Sequence, residues 1–84
     1  MTFVFYSDPG HGWLEVNWTD LRHLGLNPTD FSRYSYRKGK LFYLEEDCDA
    51  PKFITAWEAK NKTKFQCREN LDGGFIRDLE PIHA

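Results

Sequence analysis

Two short stretches carry residue types that can do chemistry. In SDPGHG, Ser7 to Gly12, Asp8 stands three positions before His11, and a histidine beside a carboxylate is the smallest general-base arrangement. In EEDCD, the carboxylates of Glu45, Glu46, Asp47 and Asp49 flank Cys48. Folded into one place, such oxygen ligands hold a hard cation; spread on a surface, they attract a basic partner. Just upstream, Arg37, Lys38 and Lys40 form a block of opposite sign, with Arg33 ahead of them. Each stretch also has a plain structural reading. Asp-Pro-Gly is turn chemistry, in which Asp8 bonds the backbone ahead and His11 caps the turn or stacks beside Trp13. Acids before a helix are favoured by its dipole, by roughly 0.3–1 kcal/mol each.

The 84 residues form a single domain, 1–84, near the size at which one core only just outweighs chain entropy. An aromatic content of 17% compensates, because large rings bury much area per residue. A net charge of −2 argues against a dedicated nucleic-acid binder for the chain as a whole. With two cysteines, no leader and no apolar stretch long enough to span a bilayer, the expected setting is the reducing cytoplasm, away from membranes. There is no Gly-rich phosphate loop, paired CxxC, HExxH or nucleophile-elbow serine, so no cofactor, metal or catalytic residue is assigned.

The elements that must position these groups read as α+β. Phe3–Tyr6 and Trp13–Val16 alternate or cluster as strands around the SDPGHG loop. Asn17 is placed as N-cap with Asp20 at N3, opening a short helix over about 18–24 that Gly25 ends in a left-handed conformation. Asn27, Pro28 and Asp30 repeat the device for a second short helix, about 28–32. Tyr34–Tyr36 and Leu41–Leu44 then form a hairpin. A three-residue turn, with Gly39 alone left-handed, sets Tyr36 opposite Lys40. That register puts Tyr34, Tyr36, Phe42 and Leu44 on one face and Ser35, Leu41 and Tyr43 on the other. Asp49 as N-cap, Pro51 in the first turn and Phe53, Ile54 and Trp57 at helical spacing give the longer helix, about 50–60, with Asn61 as its left-handed C-cap. Lys64–Arg68 alternates as an edge strand, with Phe65 and Cys67 turned to the core. Phe75, Ile76 and Leu79 belong to a last short strand or packed tail, and residues after Ile82 are expected to fray. The predicted architecture is a mainly antiparallel sheet built from hairpins, with one longer and one or two short helices.

In the strings DPGHGWLEV, LGL, YSYRKGK and YLEEDCDA the chain resembles a group of short proteins encoded by bacteriophages and bacterial mobile elements. The likeness covers roughly residues 8–60 and carries over no catalytic residue. It implies a product made inside a bacterium that acts by binding a host factor, antiviral-defence factors included. The leading expectation is therefore a non-catalytic module that binds and modulates or inhibits a host protein. Its contact residues are Arg37, Lys38, Lys40 and Tyr43 at the hairpin, Glu45, Glu46 and Asp47 beside it, and Asp8 and His11. One alternative is a nucleic-acid-binding accessory protein, with Tyr34, Tyr36 and Tyr43 as stacking planes. The other is a small metal-dependent enzyme using Asp8, His11 and the carboxylates of Glu45–Asp49.

Overall fold

Local signals at the first helix are realised atom by atom. The Asn17 side chain accepts from the Asp20 amide at 2.7 Å, and Asp20 returns the bond to the Asn17 amide at 2.9 Å. Helix α1, Trp18–His23, thus opens with a capping box. It closes in a Schellman motif: Gly25 has φ +70°, its amide donates to the Arg22 carbonyl, and the Leu26 amide donates to that of Leu21. The second device gives only a single 3-10 turn, Pro28–Asp30, with the Asn27 amide bonded to Asp30.

The computed structural model describes residues 2–83. Six strands form one mixed sheet: β1 (Phe3–Ser7), β2 (Gly12–Asn17), β3 (Tyr36–Lys38), β4 (Leu41–Glu45), β5 (Cys67–Asn70) and β6 (Glu80–Pro81), in the order β5-β1-β2-β4-β3-β6. All neighbours are antiparallel except β1 and β5. The long helix α2, Ala50–Asn61, is the crossover that makes that parallel pair possible. The chain is accordingly an α+β protein. No helix among the described residues is long and apolar enough to cross a membrane.

The hairpin exists, but its register differs from the expected one. Lys38 pairs with Leu41, Arg37 with Phe42 and Tyr36 with Tyr43, leaving Gly39 and Lys40 as a two-residue loop. Gly39 has φ +59° and Lys40 is not left-handed, the pattern of a II′ turn with glycine first. Moving the pairing reassigns faces. Phe42 and Leu44 turn to the helices, whereas Tyr36 and Tyr43 share the opposite face with Trp13.

Each face has its own core. Under α1 and α2 lie Phe3, Leu14, Val16, Phe42 and Leu44, packed on Leu21, Phe31, Ala50, Phe53 and Ile82. Phe65 joins them from the loop before β5, with its ring 5.0 Å from Phe3 and 5.2 Å from Trp57. The strand expected at Lys64 therefore starts only at Cys67, and Cys67 is exposed rather than a core residue. Lys62, at φ 54°, takes the left-handed C-cap expected of Asn61. On the other face Trp13, Tyr43 and Ile76 are buried together, with Tyr6, Tyr36 and Leu79 against them. A 3-10 segment, Gly73–Asp78, brings Ile76 there. It lies so close to β1 that a Cβ at Gly73 would stand 2.9 Å from the Ser7 backbone. Ile82 is buried and its amide bonds the Ser35 carbonyl; of the residues after it expected to fray, His83 is held by its ring on the Phe31 carbonyl, and Ala84 lies outside the described residues.

Candidate functional site

At the end of the sheet where β1 turns into β2 and β4 runs into α2, several loops meet. Asp8 builds the first of them, its Oδ1 accepting from the amides of Gly10 at 2.9 Å and His11 at 2.8 Å. Its other oxygen pairs with Arg77 Nε at 3.2 Å. The carboxyl is held below its ordinary value, first by the Gly10 amide, which outweighs the opposing desolvation, and then by the His11 amide and the Arg77 charge. Arg77 also bonds His11 Nδ1 and stands 5.7 Å over the Trp13 ring. The His11 ring stacks on Trp13 with centroids 6.0 Å apart. Because a guanidinium only donates, the His11 nitrogen facing it must accept, and Asp8 spends its oxygens on backbone and arginine. The expected Asp8–His11 general-base pair is thus not assembled; both residues organise the turn.

The acidic run is organised in the same way. Glu45 accepts from the Asp47 amide at 3.0 Å and the Cys48 amide at 2.8 Å, closing the turn into α2. Glu46 anchors it through its amide, bonded to the Gly12 carbonyl. Asp49 corrects the expectation more sharply. It precedes α2 but makes no capping bond; its carboxylate, fully buried, accepts from the Ser32 amide at 2.9 Å, the Ser32 hydroxyl at 2.7 Å and the Ser35 hydroxyl. The Ser35 oxygen in turn accepts from the Glu45 amide at 2.9 Å. A buried carboxylate satisfied by serine donors ties the segment before β3 to the segment after β4.

Between those tied segments opens a cleft of about 400 Å³, lined by His11, Trp13, Arg33, Tyr34, Tyr36, Glu45, Asp47, Cys48 and Arg77. Tyr34 is 54% exposed, with the Arg33 guanidinium 5.5 Å over its ring. The Trp13 indole N–H is buried without a hydrogen-bond partner among the described residues. Cys48 is exposed, but local desolvation, a hydrogen bond to Glu45 and the charges of Glu45, Asp49 and Asp47 push its thiol above the ordinary value, so it is a poor nucleophile. Among the described residues no three His, Cys, Asp or Glu side chains lie close enough to hold a metal ion.

The site residues named from the sequence divide between two places. His11, Glu45 and Asp47 line the cleft, and Asp8 and Glu46 support it from behind. Arg37, Lys38 and Lys40 sit at the other end of β4, about 13 Å away along four residue steps. The basic and acidic blocks, adjacent in sequence, are therefore not adjacent in space. Arg37 lies 5.1 Å over the Phe42 ring and bonds the Gly39 carbonyl, while Lys38 and Lys40 are exposed. Tyr43 overturns its assignment as an exposed contact: it is 2% exposed and its hydroxyl donates to Glu15 at 2.9 Å. Burial first, then Glu15, raises its phenol far above the ordinary range. It is lost equally as a stacking plane for nucleic acid.

Arg33 and Arg77 were not singled out as site residues. The Arg33-Tyr34 dipeptide was a signal in reach; for Arg77, which arrives 69 positions after Asp8, the sequence holds none. Compared with known proteins, the chain matches no family model, no curated protein and no solved structure.

Proposed function

We propose that the chain is a protein-recognition module, of the bacteriophage type that its sequence resembles, which binds a host protein in the bacterial cytoplasm and modulates or inhibits it. The observation that carries this reading is the cleft, where Arg33 and Tyr34 stand exposed beside Tyr36, over a buried Trp13. Tyr, Trp and Arg are the residues that dominate binding energy at protein interfaces, because each offers large area at low rotamer cost or a planar donor fork. The Asp49–Ser32–Ser35 network holds both walls before any partner arrives, so little ordering remains to be done on binding.

A tagged full-length protein in a bacterial lysate tests this. A stoichiometric partner should be retained by wild type and by Lys38→Glu/Lys40→Glu, at the far end of β4, and lost from Arg33→Glu/Tyr34→Ala. Recovery of no protein, or equal recovery by all three, would sink the reading.

A further inference from the structure

The charges around the cleft are unequal in what they still have to give. Arg77 is engaged by Asp8 and His11, and Glu45 by two amides of its own turn. Arg33 and Asp47, by contrast, make no ion pair with any described residue, although both line the cleft and both are exposed. They do not reach each other, since Asp8–Arg77 is the only pair within 4.0 Å among the described residues. Behind them the buried Trp13 indole N–H still lacks an acceptor.

From this arrangement we infer that the cleft takes a peptide segment carrying both a carboxylate and a cationic side chain, one received by Arg33 and the other by Asp47, around an aromatic centre laid on Tyr34 and Tyr36. The inference rests on the reading of the cleft as a protein-recognition site and names the chemistry of its occupant. A segment with one charge only would satisfy one wall and leave the other unpaired, forgoing the second attraction. A segment with both leaves neither charge stranded. In an extended peptide the side chains at i, i+2 and i+4 point the same way, so an acid and a base two residues to either side of the aromatic one can address the two walls while the ring meets Tyr36.

Blocked five-residue peptides with tyrosine at the centre, glycine on either side of it, and Asp and Lys, Asp and Gln, Asn and Lys, or Asn and Gln at the two ends, titrated into the ¹⁵N-labelled full chain, test it. The reporter is the Trp13 indole resonance, assigned with Trp13→Phe. The Asp/Lys peptide should bind about tenfold more tightly than either singly charged one, and Arg33→Gln or Asp47→Asn should each remove about that factor. Equal or tighter binding of a singly charged peptide overturns the inference but leaves recognition at the cleft standing. If no peptide moves the indole at millimolar concentration, both fall. Amide spectra matching wild type for the two variants separate lost binding from lost folding.

Discussion

The two faces of the sheet are made from different side chains. Beneath the helices, Phe3, Leu14, Val16, Phe42 and Leu44 carry no polar side-chain atom. On the opposite face Trp13, Tyr6, Tyr36 and Tyr43 each do. The first face is closed by α2 and by edge-to-face contacts such as Phe3 against Phe53 at 5.6 Å, and burial of hydrocarbon is all it has to accomplish. The second is closed by a 3-10 segment of six residues, Gly73–Asp78, and its rings keep polar tips that must be answered. Glu15 answers Tyr43; nothing among the described residues answers Trp13. The chain thus packs hydrocarbon on one side of the sheet and polar-tipped rings on the other, where the cleft opens.

Substitutions sharpen or break that contrast. Phe53→Ala, on the dry face, should cost about 3–5 kcal/mol in urea unfolding, because a buried ring leaves a cavity that α2 cannot fill. Asp49→Ala should follow at about 3 kcal/mol, since it strands the Ser32 and Ser35 donors in the interior. Unlike Phe53→Ala, it should also broaden the amide signals of Arg33, Tyr34 and Asp47 before the domain unfolds. Ile76→Ala should cost about 2 kcal/mol, at the low end for its type, because a short 3-10 segment can settle onto the gap. A cost equal to that of Phe53→Ala would show that the second face is as rigid a core as the first. Tyr43→Phe should cost about 1 kcal/mol, the worth of its bond to Glu15.

The smallest effect belongs to Asp8→Asn. The Asp8 carboxyl is depressed below its ordinary value of 3.8, so its contribution is complete above that pH and is lost as pH falls through the lower folded value. Wild type should therefore melt slightly higher than Asp8→Asn from neutral pH down to about 4–5, and the two curves should converge below the ordinary carboxylate range. A difference that grows with acid would refute the hold that the Gly10 and His11 amides, with Arg77, have on the carboxylate.

What could be read from the sequence followed the range of the forces involved. The Asn17–Asp20 box, the Gly25 cap and the α2 helix depend on neighbours a few positions apart, and they stand as expected. The hairpin was legible as a hairpin, but around Gly39 the turns that place one or two residues before it, or Lys40 after it, differ little locally. Pairing of Leu41–Glu45 with β2 on one side selects the register that sends Phe42 and Leu44 to the helices. The β5 edge was legible as an edge strand but not its partner, since parallel pairing with β1 is contributed by a crossover more than fifty residues long.

The sequence alone determined the α+β composition and both caps of the first helix, because backbone hydrogen bonding and side-chain periodicity act within one or two helical turns. Only the tertiary structure decided which charges meet. It separated Lys38 from Glu45 along a strand, took Asp49 from its helix to Ser32 and Ser35, and carried Arg77 back to Asp8. The reason is physical: burial selects strand register and topology first, and the charged groups then pair with whatever that packing places beside them.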